Sequence, residues 1–364
     1  MSNIRVLVVD DSSLMRRTLS HILETAPEIK VIGTASNGQE AVEMAKRLRP
    51  DVITLDVIMP VMDGIAALKA IVSETNARVI MVSSETHEGS RLTIEALSLG
   101  AVDYVTKTSG QVSLDISKVA AELISKVKTA YKSKTILLDP INSAGRKFRQ
   151  IISDLSLANQ AAQQEKQADK TGTGVRKELV AIAASTGGPA ALQVVLAGLP
   201  GDLPAGLVIV QHIAEGFSRA LADKLNEVSA LKVRLCLDTD EIKRGLVLLA
   251  PAGQHVTVRK MGDRNFAVLS REPANTLHRP SADVLFSSVA STYGQRSCAV
   301  ILTGMGADGA RGMKEIRDRG GVTIGQNEST SVIFGMPKAA IEMGAIQIVA
   351  PINEIASRII TSLS

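Results

Sequence analysis

The sequence predicts two α/β units: a doubly wound five-stranded parallel sheet, then a second, mostly parallel doubly wound α/β domain with a β-hairpin region. Three observations carry this. In both halves of the 364-residue chain, short runs of Val, Ile and Leu alternate with segments of helical spacing, as expected where sheets are buried on both faces by crossover helices. The composition is 45% hydrophobic but only 2% aromatic, so the cores must be aliphatic. Between the halves lies a stretch with neither period.

In the first half, strands are expected at Val6–Val9, Val31–Ile32, Val52–Leu55, Val79–Val82 and Val102–Val105. Helical spacing joins Leu14, Leu19, Ile22 and Leu23, and again Ala41, Val42, Met44, Ala45 and Leu48. These repeats define a unit over residues 1–134. Residues 135–175 read as a linker: Phe148–Leu157 has helical spacing, but the Gln/Ala/Lys stretch 160–167 and Gly172-Thr173-Gly174 lack a face to bury. The second unit, 176–364, opens with apolar runs at Leu179–Ala184, Leu207–Val210, Leu246–Leu249 and Ala299–Leu302. Helices are expected over Ala190–Leu199 and Asp283–Ser291. Between Lys232 and Arg271, short alternating pieces with turns at Pro251-Ala252-Gly253 and Gly262-Asp263 predict an antiparallel hairpin region.

Composition excludes several function classes. A balance of 41 Lys+Arg against 37 Asp+Glu leaves +4, and with so few aromatics there is neither a basic face nor a stacking platform for nucleic acid. Cys236 and Cys298 are the only cysteines, too few for a disulfide framework or a thiolate metal site, which makes a reducing, cytoplasmic location the expectation. Met1-Ser2-Asn3-Ile4-Arg5 lacks the form of a signal peptide, and no apolar run approaches the ~18 residues of a membrane span.

Chemistry-bearing residues sit at the predicted strand ends. Asp10 and Asp11 follow the first strand and Asp56 ends the third, while Ser83 and Lys107 follow the fourth and fifth. Parallel neighbours would gather them at one edge. Clustered carboxylates repel one another, and a divalent cation relieves that cost; an oxygen-only site suits Mg²⁺. A metal and an ammonium also satisfy a phosphoryl group, and a carboxylate such as Asp56 can accept one. Taken singly, Asp10 and Asp11 read equally well as turn and cap residues before a helix near Ser12.

In the second half, Ser185 ends a strand and precedes Thr186-Gly187-Gly188-Pro189, which can be a plain turn, a phosphate cradle or an oxyanion site. His212 ends the next strand and is the strongest candidate base among five histidines; His21, His87, His255 and His278 lie elsewhere in the pattern. Asp308 follows Thr303-Gly304-Met305-Gly306-Ala307 and is either a helix cap or an orienting carboxylate. A hydroxyl, an imidazole and a carboxylate on three strand ends can converge as nucleophile, base and orienting group.

These residues carry two resemblances. Residues 4–131, with Asp10-Asp11, Leu55-Asp56-Val57-Ile58-Met59-Pro60-Val61-Met62-Asp63-Gly64, Ser83-Ser84 and Asp103-Tyr104-Val105-Thr106-Lys107, resemble a two-component receiver domain; Thr108 stands where such domains usually have proline. The resemblance implies phosphorylation of Asp56 by a sensor histidine kinase. It also implies Mg²⁺ held by Asp11, Asp56 and a carbonyl near Ile58, with Asp10 acting through water. Ser83 and Lys107 would contact the phosphoryl group, and Tyr104 would be the aromatic switch. Residues 178–351, with Ala183-Ala184-Ser185-Thr186-Gly187-Gly188-Pro189, Gln211-His212, the stretch from His278 to Phe286, Leu302 to Gly309, Gly325 to Glu328 and Val332 to Pro337, resemble the catalytic domain of chemotaxis protein-glutamate methylesterases, the CheB family.

The second resemblance implies a triad of Ser185, His212 and Asp308 with Thr186 and Met305 beside the reacting centre, and no cofactor at the esterase site. The implied substrates are γ-glutamyl methyl esters, and glutamine amides, of methyl-accepting chemoreceptors, so that any approach to a membrane is peripheral. The implied control is a receiver that obstructs the esterase until it is phosphorylated. Two other readings stay open on the residues alone: a response regulator whose second half binds DNA or a ligand, and a non-catalytic phosphate binder built on Ser185-Thr186-Gly187-Gly188.

Overall fold

A computed structural model describes residues 3–83, 86–107, 115–133 and 177–363; the predicted linker, Ser84 and Thr108 lie outside the described residues. The chain forms two compact units, taken here in turn.

The first unit runs β1 (Ile4–Val9), α1 (Ser13–Glu24), β2 (Ile29–Ala35), α2 (Gly38–Leu48), β3 (Val52–Asp56), α3 (Gly64–Glu74), β4 (Arg78–Ser83), α4 (His87–Ser98), β5 (Asp103–Thr106) and α5 (Asp115–Lys132). Its five strands are parallel in the order β2-β1-β3-β4-β5. Val6, Leu7, Val8 and Val9 of β1 and every residue of β3 are buried, as a sheet covered on both faces demands. The helices start where side chains can cap them: Ser12, Asn37, Asp63 and Thr86 each accept an amide of the first turn. The apolar stripe of α1 buries Leu19, Ile22 and Leu23, whereas Leu14, which the spacing grouped with them, is 67% exposed.

The second unit contains β6 (Leu179–Ala184), α6 (Gly188–Ala197), β7 (Gly206–Gln211), α7 (Ser218–Val228), β8 (Lys232–Leu235), β9 (Asp240–Glu241), β10 (Leu246–Leu249), β11 (His255–Met261), β12 (Arg264–Ser270), α8 (Ala282–Thr292), β13 (Ser297–Ile301), α9 (Ala310–Asp318), β14 (Val322–Gln326), α10 (Met336–Glu342), β15 (Ile348–Ala350) and α11 (Ile352–Ser362). Seven strands form one sheet in the order β15-β14-β13-β6-β7-β10-β8, and their pairings are parallel. A separate three-stranded antiparallel sheet holds the β11–β12 hairpin with β9.

Two details depart from the sequence reading. Lys232–Leu235, grouped by pattern with the hairpin region, is instead the parallel edge strand beside β10. Strands β14 and β15 were not singled out, because Thr323 and Gly325 break the apolar run of the first and the second is three residues long. Among the described residues no helix is long and apolar enough to cross a membrane.

The chain winds from β6 outward through β7, then crosses back to β13 on the other side of β6. Such reversals leave a crevice at the carboxyl ends of the strands, where open α/β sheets bind ligands. The core on one face is built by α8, whose Leu285, Phe286 and Val289 join Ala181 and Ala183 of β6 and Ala299 and Ile301 of β13. The alanines leave room for the phenyl ring. Phe286→Ala, at a fully buried position, should therefore destabilise the second unit by about 3–5 kcal/mol. Denaturant unfolding followed on the full chain should shift this unit's transition and leave that of the first unit in place.

Candidate active site

Strand β6 lies between β13 and β7, so the segments leaving all three emerge side by side. Ser185 follows β6, and its amide donates to Thr303 O at 3.0 Å. His212 follows β7 and its amide donates to Ala184 O at 3.0 Å, extending the ladder by one rung. Gln211, buried at the last position of β7, turns its side-chain Nε2 onto both Ser185 O and His212 O at 2.9 Å. One amide group thereby ties the two backbones together. Close approach also requires Gly304: a Cβ there would lie 2.8 Å from Ser185 Cβ and 2.3 Å from Met336 Sδ.

Asp308 caps no helix of its own, because the cap position of α9 is Gly309, with no side-chain cap bond. Its carboxylate instead receives the start of α8. Ser281 Oγ donates to Oδ1 at 2.8 Å, Ala282 N to Oδ2 at 2.7 Å and Asp283 N to Oδ1 at 3.1 Å, and His212 Nε2 meets Oδ2 at 2.8 Å. The helix dipole adds to these charge-assisted bonds. Burial alone would push the pKa of Asp308 up, but the bonds from His212 and the α8 amides hold it well below the usual carboxylate range. An ionised Asp308 requires a proton on His212 Nε2, which leaves Nδ1 as the acceptor; Nδ1 is buried and has no partner among the described residues. The structure thus joins His212 to Asp308 and places Ser185 on the adjacent strand end, with no hydrogen bond drawn from its hydroxyl to the imidazole.

Thr186 accepts Thr303 Oγ1 on its carbonyl at 3.0 Å, and Met305, 46% exposed, stands beyond Gly304 at the rim. Three groups without a predicted role belong to this site. The His278 ring stacks on His212 with centroids 4.1 Å apart and planes 18° from parallel. Ser281 caps α8 while holding Asp308. His255, fully buried at the start of β11, accepts Ser281 N on Nδ1 at 3.1 Å and turns Nε2 to Pro273 O at 3.2 Å. The Ser281-x-Asp283 start of an apolar helix was a readable cap signal. Nothing in the sequence says that a second carboxylate would occupy it.

In the first unit, Asp10, Asp11 and Asp56 bring one carboxylate oxygen each to within 4.8 Å of one another. Asp10 and Asp56 are buried and Asp11 is exposed. Lys107 Nζ lies 2.9 Å from Asp10 Oδ2 and 2.7 Å from Asp56 Oδ2. Burial pushes the Asp56 carboxyl up, against the pull of Lys107. One ammonium balances one of three carboxylates, and a cluster of hard oxygen donors with charge to spare fits a divalent cation. Ser83 is buried, takes Lys107 N on its carbonyl at 2.6 Å and donates Oγ to Gly89 O at 3.2 Å. Tyr104 is buried beneath Lys126, whose Nζ lies 4.8 Å from the ring centre. Gly64 is dictated by space, since a Cβ would come 2.0 Å from Asp56 O.

Comparison with known proteins supplies a family for each unit. Residues 180–359 match the CheB methylesterase family and residues 6–116 the response regulator receiver domain. Over the whole chain, the sequence is 45% identical to a protein-glutamate methylesterase/protein-glutamine glutaminase of Archaeoglobus fulgidus, covering 99% of this chain and 98% of that one. It is 42% identical to the protein of that description from Bacillus subtilis, covering 98% and 97%. Among solved structures, the Thermotoga maritima CheB methylesterase catalytic domain matches at 36% identity with a TM-score of 0.50, over 51% of this chain and 99% of that one.

The hydrogen bonds of His255 have a consequence for pH. Burial, first of all, lowers its affinity for a proton below that of an ordinary histidine near 6.5, and protonation of Nδ1 would set a donor against the Ser281 amide. The unfolded chain then binds the proton more tightly than the fold, so stability is full above about pH 6.5 and falls as pH drops below it. Urea unfolding of the second unit at pH 7 and pH 5.5 should show this loss, and His255→Gln should lessen it, leaving the share of His278, whose proton affinity burial also lowers.

Proposed function

The chain belongs to the CheB family of chemotaxis methylesterases/glutaminases that carry a receiver domain, and on that premise we propose that its second unit hydrolyses γ-glutamyl methyl esters, and the corresponding glutamine amides, of chemoreceptors through Ser185, His212 and Asp308. The observation that carries the reading is the His212–Asp308 pair at the crevice between β6 and β13, with its second imidazole nitrogen buried and available beside the strand end that bears Ser185.

In this reading His212 Nδ1 takes the Ser185 proton as Oγ attacks the γ-carbonyl. Asp308 holds Nε2–H and balances the imidazolium. The proton then passes to the departing methoxide, methanol leaves, and the glutamyl ester on Ser185 is attacked by water with His212 again as base. The products are a glutamate carboxylate and free Ser185. A glutamine amide follows the same course with ammonia as the leaving group. Thr186 and Met305 flank the reacting carbonyl, and no cofactor takes part.

Residues 1–134 act as the phosphorylated switch, 135–175 as the connection and 176–364 as the enzyme. Asp56 accepts phosphate from a sensor histidine kinase. Asp10, Asp11 and Asp56 would hold Mg²⁺, which when bound supplies charge neutralisation for phosphoryl transfer. Lys107, already between Asp10 and Asp56, moves its charge to the phosphoryl oxygens. Ser83 exchanges Gly89 O for the same group, and Tyr104, already buried, repacks towards it. A phosphoryl group adds nearly two negative charges at this edge, enough to repack a switch face, and each tenfold gain in esterase rate needs only about 1.4 kcal/mol of bias. The enzyme works in the cytoplasm on receptors embedded in the membrane.

Two outcomes are expected. Ser185→Ala should lower methanol release from methylated receptor membranes by about 10⁴- to 10⁶-fold; near-parental release would overturn the triad. Acetyl phosphate should stimulate the parent protein, and both Asp56→Asn and chelation of divalent cations should remove that stimulation. Stimulation that persists would put the gate elsewhere.

A further inference from the structure

His255 and His278 bracket one short segment yet are treated differently by the fold. His255 spends both ring nitrogens on structure, one on Ser281 N and one on Pro273 O. His278 makes no hydrogen bond among the described residues; its ring is half-buried and its defined partner is the His212 ring, 4.1 Å away and nearly parallel. A structural histidine would use its nitrogens. This one presents a face.

His212 needs such a face. Its function as a base depends on Nε2 staying on Asp308 and Nδ1 staying towards the crevice. A half-turn about Cβ–Cγ would bring Cε1 to where Nε2 meets Asp308 and Cδ2 to where Nδ1 stands, leaving no nitrogen in either place. The stacked ring obstructs that rotation. It also covers with polarisable π surface an imidazole that carries a positive charge for part of each turnover.

We propose that His278 is a positioning residue for His212, locking its ring plane and tautomer by stacking and sheltering the imidazolium that forms during hydrolysis. The proposal rests on the triad reading above. The charged groups around the stack are accounted for: Asp308 on the far side of His212, Arg279 turned to Ala274 O, and Asp283 paired with Arg311. Burial, and then the neighbouring His212, keep His278 less readily protonated than an ordinary histidine. It stays neutral where the enzyme works, and in acid it would put a second positive charge against His212.

The test compares His278→Ala and His278→Phe in the full chain, reading methanol release against pH and the ¹⁵N imidazole signals of His212. The parent should show one tautomer, with the proton on Nε2. His278→Ala should give a mixture of tautomers and a kcat about 10- to 100-fold lower at little change in KM. His278→Phe, which keeps a flat ring, should recover most of the rate and the single tautomer. An unaltered tautomer and rate in His278→Ala overturns the proposal, as does a His278→Phe variant as impaired as the alanine. Because the tautomer is read without turnover, its failure is distinguishable from failure of the triad, which Ser185→Ala reports alone.

Discussion

The second unit is organised by one half-buried negative charge. Asp308 receives Ser281 Oγ and the first two amides of α8 before it meets His212. A carboxylate largely withdrawn from water needs such hydrogen bonds in its place. The helix start supplies that support, so the imidazole bond to Asp308 is made at no further desolvation cost to the acid. The bond in turn decides which nitrogen of His212 is left as an acceptor. Helix position, carboxylate ionisation and imidazole tautomer are therefore one coupled choice, and Ser281, held on its other side by His255, is its hinge pin.

The first unit solves a related problem with the opposite balance. There the carboxylates outnumber their donors: Asp10 and Asp56 share Lys107, and Asp11 faces solvent. Excess negative charge beside a buried acid is costly in isolation but suits a site that admits a cation and a phosphoryl group in turn. Both sites occur where the order of strands reverses, between β1 and β3 in one sheet and between β6 and β13 in the other. The same architectural opening holds one under-neutralised cluster and one acid whose oxygens are all hydrogen-bonded.

Much of this was legible from strand ends. Asp10, Asp56, Ser185 and His212 each follow or finish an apolar run, and period-2 and period-3.6 patterns placed most of those runs to within a residue or two. What escaped had physical reasons. Lys232–Leu235 alternates like a hairpin strand because it is the edge of its sheet and half in water. Strands β14 and β15 are short or broken by small residues. Leu14 shares the period of the α1 core face but sits in the helix's first turn and stays in solvent. Ser281, His255 and His278 reach the site through side-chain bonds and ring contact across the fold, and no local period encodes such encounters. Gln211 was visible beside His212, yet that its amide braces two neighbouring strands is a property of register, not of spacing.

The β11–β12 hairpin and its partner β9 belong to a sheet of their own, inserted in the chain after His212 and before Asp308. Val256, Val258 and Ala267 seat this excursion on the common core, while its tip from Arg259 to Arg264 stands in solvent. The tip can therefore change in length and charge without moving Ser185, His212 or Asp308, and a protein engineer would graft new surface there first.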